Sequence, residues 1–247
     1  MKKYFRAKTA LAISLIIGLL FSMTGTAFAK DTPPSPHFDY VALGDSLAAG
    51  QNPFGAENGY SYTNSIKNML AMSGSTGSYR NFGVSGYTTF DISNQLNDPK
   101  IIKYLTDAEI VTLNIGANDL LGLPAVRNYF AAPTQENLTA ATIEVTAELP
   151  NIGSRIATII GSILVVNPDA EIYVMGYYNA FPSNPNLLNL ILALNNAISY
   201  ATVATGTYYV DTMSTFISDY LPNALDIHPT HDGYKAIAED FGSAIGL

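Results

Sequence analysis

Short apolar runs and longer amphipathic segments alternate along most of this chain. The short runs are rich in β-forming residues and predict five buried strands, at 38–43, 79–84, 109–115, 170–176 and 207–211. The longer segments place apolar residues near helical spacing and predict helices, at 59–72, 136–166, 186–204 and 232–244. Strands that alternate with long helices favour a mostly parallel sheet with helices on both faces.

Prolines modify this pattern at two places. Short helical turns are expected within 91–105, where Pro99 separates them. Pro150 is expected to break or kink the helix at 136–166, because an interior proline removes a hydrogen-bond donor.

The first 29 residues have the three parts of a secretory signal peptide. A positively charged head is followed by an apolar run at 10–21 and by the small-x-small sequence Ala27-Phe28-Ala29. A membrane anchor is the alternative, but the apolar run falls short of the ~20 residues that span a bilayer. We therefore expect cleavage after Ala29, an extracellular protein and no stable membrane span in the mature chain. A Pro-rich linker is predicted at 30–37, followed by one domain at 38–247.

Composition excludes several classes of protein. With 48% hydrophobic residues among 247, the chain is not intrinsically disordered. The absence of cysteine excludes a disulfide framework, a Cys-ligated metal centre and a thiol nucleophile. Residues 1–29 carry four of the twelve basic residues and none of the twenty acidic ones, so cleavage leaves a net charge of −12. Such a chain is a poor binder of nucleic acid, which needs clustered Lys and Arg.

Four polar segments follow predicted strands, the last of them beyond a short helical stretch, and the carboxyl ends of parallel strands share one edge of the sheet. They are Gly44-Asp45-Ser46-Leu47, residues 81–86, Gly116-Ala117-Asn118-Asp119 and Asp226-Ile227-His228-Pro229. Their residue types match the requirements of a serine hydrolase, namely a nucleophile, a base, a group that orients the base and donors for an oxyanion.

Within these segments, Ser46 lies on a tight turn and Asp226 lies close to a histidine. Gly86 offers an unobstructed backbone N–H, and Asn118 offers a side-chain amide. Of the three histidines, His37 falls in the linker, which leaves His228 and His231 as candidate bases.

In this order, the four segments resemble the sequence blocks of the GDSL esterase/lipase family in the SGNH hydrolase superfamily. The resemblance covers about residues 38–245 and implies a flavodoxin-like three-layer α/β/α sandwich. It implies Ser46 as nucleophile, His228 as base, and an oxyanion hole formed by Ser46, Gly86 and Asn118. It also implies that no cofactor or metal is needed. His231 is then expected to be a solvent-facing loop or helix-cap residue.

The chain departs from the family pattern at one position. The usual last block is D-x-x-H, which would place the acid at position 225, where this chain has Leu225. Asp226 is expected to orient His228 if the loop turns suitably. The alternative is that a backbone carbonyl orients the imidazole and that Asp226 is a bystander.

We therefore expect a secreted, monomeric carboxylic ester hydrolase that acts through an acyl-enzyme on acyl esters or lysophospholipid-like lipids. Two apolar stretches, at 120–132 and 181–194, are expected to be either ordinary core or walls of an acyl-chain pocket near Tyr177, Tyr178 and Phe181. The sequence also leaves open whether 120–136 or 181–194 form a lid over the site. Two other functions stay open: a carbohydrate O-acetyl esterase, and a non-catalytic binding module on the same fold.

Overall fold

A computed structural model of the protein describes residues 37–56 and 59–247. The predicted signal peptide at 1–29 lies outside the described residues, as does the predicted linker apart from His37. That histidine is exposed and lies 3.5 Å from the Asp39 carboxylate.

The core of the protein is one sheet of five parallel strands in the order β2-β1-β3-β4-β5. The strands are β1 (Tyr40–Gly44), β2 (Tyr79–Asn81), β3 (Ile110–Asn114), β4 (Glu171–Met175) and β5 (Tyr208–Val210). Every residue of β1 and β3 is buried, so helices cover both faces of the central strands. The predicted mostly parallel five-stranded sheet is confirmed, and each strand overlaps its predicted range.

Nine helices surround the sheet in the described part of the chain. They are α1 (Ser46–Ala49), α2 (Tyr62–Met72), α3 (Thr89–Gln95), α4 (Pro99–Thr106), α5 (Ala117–Leu121), α6 (Pro124–Ala131), α7 (Gln135–Val166), α8 (Pro185–Thr205) and α9 (His231–Ile245). A short 3₁₀ helix spans Ser218–Tyr220. Helix α9 packs against α2, where the Phe241 and Tyr62 rings stack with centroids 5.0 Å apart. Helix α7 packs against both α6 and α8.

The structure differs from the predicted helices in two ways. Helix α7 continues through Pro150, because residues on both sides of the proline, including Val145 and Ile152, are buried and hold the two halves in place. Three short helices (α1, α5 and α6) occur where no helix was predicted. They have four to eight residues each, too few for apolar periodicity to be read from a sequence.

Helices α7 and α8 are long and apolar enough to cross a membrane by length and composition alone. In the described structure they pack against each other, and each contributes residues to the core, among them Ile156 and Ile198. Core helices of α/β domains have the same properties.

Candidate active site

Ser46 lies at the carboxyl edge of the sheet, where β1 turns into α1. It is the first residue of α1, and Asp45 caps this helix by accepting the Leu47 N–H at 3.0 Å. The turn requires a glycine at position 44, because a Cβ there would collide with the Asn114 side chain. Ser46 is 8% exposed, so its hydroxyl lies in a recess of the surface.

His228 connects Ser46 to a carboxylate. Its Nε2 lies 2.8 Å from Ser46 Oγ, and its Nδ1 lies 2.6 Å from Asp226 Oδ1. A carboxylate accepts from N–H, so this contact favours the tautomer with the proton on Nδ1 and leaves Nε2 as an acceptor for the serine hydroxyl. The His228 side chain is 10% exposed, and its burial shields both hydrogen bonds from competing water.

The loop before His228 explains how an acid two residues away reaches the ring. Asp226 Oδ1 also accepts the His228 backbone N–H at 2.7 Å, and the Asp226 N–H donates to the Asn223 carbonyl at 3.0 Å. The Tyr178 hydroxyl donates to the Ile227 carbonyl at 2.6 Å. Leu225 occupies the family's usual acid position and is 97% exposed, because this turn directs it away from the imidazole.

Asp45 is a buried carboxylate behind the serine. It accepts from the Tyr177 hydroxyl at 2.9 Å, from Asn114 Nδ2 at 2.6 Å and from the Leu47 N–H. Burial raises the pKa of Asp45 to about 6, and these hydrogen bonds to the charged form oppose that effect. Asp45 therefore fixes the turn that presents Ser46.

The backbone N–H groups of Ser46 and Gly86 have no protein acceptor among the described residues. Gly86 lies in a turn closed by the Tyr87 N–H and the Val84 carbonyl at 3.2 Å, with φ of +82°. The Val84 N–H donates to the Gly44 carbonyl at 3.0 Å, which ties this turn to the end of β1. Unpaired N–H groups of this kind are what an oxyanion hole requires.

The predicted third donor, Asn118, is held by the same turn. Its Nδ2 donates to the Tyr87 carbonyl at 2.9 Å, and the residue lies in α5, after β3. The next residue, Asp119, accepts both the backbone N–H and the hydroxyl of Thr89, at 2.9 and 2.5 Å. These hydrogen bonds hold the N-terminus of α5 next to the N-terminus of α3.

Arg155 completes this support from α7. Its guanidinium lies 3.1 Å from Asp119 and 2.6 Å from Glu148, and its Nε donates to the Thr89 hydroxyl at 2.6 Å. The Asp119 side chain is only 4% exposed, so Arg155 compensates a buried negative charge beside the Asn118 amide.

An apolar cavity of about 90 Å³ opens next to Ser46 and Asn118. We call it the acyl cavity. Its walls are mainly apolar side chains from α5 to α8 and the loop after β4, including Leu120, Val126, Val145, Phe181, Ile191 and Leu194. Both apolar stretches singled out from the sequence, 120–132 and 181–194, therefore line this cavity as well as the core. Tyr177 and Tyr178 line it too.

Sequence reasoning missed several supporting residues. Asn114 could have been found from the sequence, because it is a polar residue at the end of an apolar strand. In the structure it is fully buried. Thr89 and Arg155 could not have been found in this way, because their pairing with Asp119 depends on tertiary contact between α3, α5 and α7. His231, the second candidate base, begins α9 and packs against the Tyr60 ring at 4.5 Å, which agrees with the expected helix-cap region. In the described residues, no group of three or more His, Asp or Glu side chains is arranged to hold a metal ion.

The sheet order, the serine at the end of β1 and the histidine before the last helix together define an SGNH-type hydrolase fold. A family model described as GDSL-like lipase/acylhydrolase matches residues 42–236. The chain therefore belongs to this family, and the resemblance noted from the sequence is confirmed.

Three known proteins are similar to this chain. The chain is 26% identical over 250 residues to the uncharacterized protein YpmR of Bacillus subtilis (strain 168), covering 97% of this chain and 93% of YpmR. The lipase Lip_vut3 from a goat rumen metagenome matches with a TM-score of 0.69 at 21% identity, covering 84% of this chain and 97% of that one. Phospholipase A1 from Streptomyces albidoflavus NA297 matches with a TM-score of 0.64 at 20% identity, covering 84% and 99%. At these identities the two structures show a shared fold.

Proposed function

We propose that the protein is a carboxylic ester hydrolase that acts through a covalent acyl-enzyme on Ser46. The observation that carries this proposal is the continuous hydrogen-bonded chain from Ser46 Oγ through both nitrogens of His228 to Asp226. Membership of the lipase/acylhydrolase family supports ester substrates.

The reaction follows from the positions of these groups. His228 Nε2 takes the proton of Ser46 Oγ as this oxygen attacks the ester carbonyl carbon. The N–H groups of Ser46 and Gly86 and the amide of Asn118 stabilise the negative oxygen of the tetrahedral intermediate. The carbonyl–oxygen bond to the alcohol then breaks, and His228 returns the proton to the leaving oxygen. Water, activated by the same histidine, cleaves the acyl-enzyme and releases the acid.

Asp226 acts through the imidazole. Its carboxylate holds the ring with Nδ1 protonated and stabilises the positive charge that the ring acquires when it takes the serine proton. No cofactor or metal takes part in these steps.

The apolar lining of the acyl cavity supports acyl esters with an apolar chain as the substrate class. Apolar walls favour a hydrocarbon chain, because its burial removes apolar surface from water. Lysophospholipid-like lipids, which carry a single acyl chain, fall within this class.

Hydrolysis of p-nitrophenyl esters from acetate to palmitate tests the proposal. The purified protein should release p-nitrophenol with an optimum at a chain length longer than acetate. Ser46→Ala should lose nearly all turnover, whereas Ser243→Ala, on the exposed face of α9, should retain it. Equal activity in Ser46→Ala and the unchanged protein would overturn the assignment of the nucleophile.

The two alternative functions give other results in the same assay. A carbohydrate O-acetyl esterase would hydrolyse acetylated xylan but no acyl ester longer than acetate. A non-catalytic binding module would hydrolyse none of these esters, and it would not be labelled by a serine-directed fluorophosphonate.

We also propose that the protein is secreted, on the signal-peptide pattern of residues 1–29. Amino-terminal sequencing of protein recovered from the culture medium should begin at Lys30. Recovery of uncleaved chain from the cells alone would contradict secretion.

A further inference from the structure

A second depression adjoins the acyl cavity on the side of the loop that carries His228. We call it the outer groove, and its volume is about 390 Å³. It is lined in part by Tyr129, Ser183, Asn184, Ala224 and Asp226. Five residues line both spaces, namely Phe130, Ala180, Phe181, Leu187 and Ile227. The two spaces are therefore neighbours that meet at the Phe130 and Phe181 rings, whose centroids lie 5.4 Å apart.

We propose that the outer groove binds the alcohol half of the ester and selects esters whose alcohol carries no negative charge, such as those of glycerol. This inference rests on the proposed hydrolase function. It narrows that function, because it disfavours acyl esters of phosphate-bearing alcohols.

The position of the groove identifies which half of the substrate it receives. His228 must deliver its proton to the leaving oxygen, so the alcohol has to lie on the histidine side of the tetrahedral intermediate. Residues 224–227, which immediately precede His228, line the outer groove. Ser46 and Asn118, which face the acyl carbon and its oxygen, line the acyl cavity instead. One substrate can therefore occupy both spaces, with its scissile bond at Ser46.

The side chains that line the two spaces agree with this placement of the acyl half and the alcohol half. Apolar side chains dominate the acyl cavity, whereas the outer groove adds neutral hydrogen-bonding residues, among them Ser183, Asn184 and Asn223. Hydroxyl and amide groups suit the hydroxyls of a polyol, which both donate and accept. The groove is also the larger of the two spaces, which agrees with a bulkier polar moiety.

Charge excludes an anionic alcohol. Among the described residues that line the outer groove, Asp226 is the only acid, and none is a lysine or an arginine. A phosphate bound there would face the Asp226 carboxylate with no cation to compensate its desolvation. Arg155 cannot supply that charge, because Asp119 and Glu148 already pair with it.

The test compares two substrates that differ only by a phosphate group on the alcohol, 1-octanoylglycerol and its 3-phosphate. A third ester, p-nitrophenyl octanoate, reports on the catalytic groups and the acyl cavity. We expect kcat/KM for the uncharged glycerol ester to exceed that for the phosphate by at least about tenfold.

A charge placed in the groove should change this preference. Ala224→Arg introduces a cation at an exposed position of the groove wall and should reduce the preference several-fold, mainly by raising kcat/KM for the phosphate ester. Ser243→Arg makes a matched charge change on α9 and should leave the preference unchanged.

Three results would overturn the proposal. The first is equal kcat/KM for 1-octanoylglycerol and its 3-phosphate. The second is that Ala224→Arg and Ser243→Arg show the same preference for the uncharged ester. The third is that Ala224→Trp slows methyl esters progressively as their acyl chain lengthens, which would make the groove an extension of the acyl cavity. Failure to hydrolyse any of the esters, p-nitrophenyl octanoate included, would overturn the proposed hydrolase function itself.

Discussion

Asp226 precedes His228 by only two residues, yet one oxygen of its carboxylate binds both the ring Nδ1 and the backbone N–H of this histidine, at 2.6 and 2.7 Å. The short spacing therefore does not prevent the acid from reaching the base. The turn that begins at Asn223 brings the carboxylate back over the ring, and it directs Leu225 into solvent.

Replacing this acid should slow catalysis while the fold persists. Asp226→Asn presents an amide to Nδ1 and removes the charge that stabilises the imidazolium, so kcat should fall by about 10³–10⁴. The measurement is kcat for p-nitrophenyl octanoate beside that of the unchanged protein.

A double variant separates the role of Asp226 from the family's usual acid position. Leu225→Asp added to Asp226→Asn should remain as slow as Asp226→Asn alone, because the side chain at 225 points away from the ring. Recovery of kcat in the double variant would show that the loop can orient the base from either position.

Asn118→Ala should reduce kcat. It removes one of three donors to the oxyanion, and losses of this kind are about 10²–10³ in kcat. Asn196→Ala, on the exposed side of α8, is the control and should keep full activity. A change confined to KM would place Asn118 in ground-state binding instead.

The wall of the acyl cavity should set the preferred chain length. Ile191 lines the cavity, whereas its neighbour Leu192 is an exposed residue that does not. Ile191→Trp fills part of the cavity and should move the optimum among p-nitrophenyl esters to shorter acyl chains. Leu192→Trp adds the same bulk outside and should leave the optimum in place, and a shift in both variants would contradict the assigned walls.

Arg155→Met should destabilise the folded protein. The change leaves the Asp119 carboxylate buried beside Glu148 without its cation, so we expect the free energy of unfolding to fall by about 3 kcal/mol. Urea unfolding measures this loss. Arg127→Met, at an exposed position on α6, is the comparison and should change the unfolding free energy by less than about 0.5 kcal/mol.

Asp45 should make stability depend on pH. Folding raises the pKa of Asp45 from 3.8 to about 6, so the native state binds this proton more tightly than the unfolded chain does. The stabilisation from this proton is therefore fully present below pH 3.8 and is lost as the pH rises to about 6.

Comparison with Asp45→Asn isolates this effect, because the amide does not titrate. Across this pH range, the unfolding free energy of the unchanged protein should fall by about 3 kcal/mol relative to that of Asp45→Asn. Asp219→Asn, at an exposed position, is the control. Parallel stability curves for the unchanged protein and Asp45→Asn would show that folding does not raise this pKa.

Local patterns were enough to predict the sheet and the residues at its edge. The strands β1 and β3 are continuous apolar runs, and polar residues such as Ser46 and Asn118 stand out where these runs end. The resemblance to the family's sequence blocks indicated that the four polar segments belong to one site. The parallel strands explain this, because their carboxyl ends lie at the same edge of the sheet.

Tertiary contacts decided what the sequence left open. The position of Asp226 relative to the imidazole depends on a local turn, in which the Asp226 N–H donates to the Asn223 carbonyl, and on a bond that Tyr178 donates to the Ile227 carbonyl from a distant segment of the chain. The pairing of Arg155 with Asp119 likewise joins two helices whose sequences give no sign of the contact. At Pro150 the prediction from the local sequence was wrong. The proline was expected to break or kink the helix, but α7 continues through it because residues on both sides are packed in the core.

The serine and its base are 182 residues apart in the chain. No partly synthesised chain that ends before residue 228 can contain the assembled site, and the helix that follows the histidine loop, α9, packs against α2. The hydroxyl of Tyr234 in α9 donates to the Gln51 carbonyl just after α1, which ties this late step to the segment around Ser46. A chain under synthesis therefore cannot hold the proposed site before His228 has been added, and the return of ester hydrolysis during refolding should report when Ser46 and His228 come together.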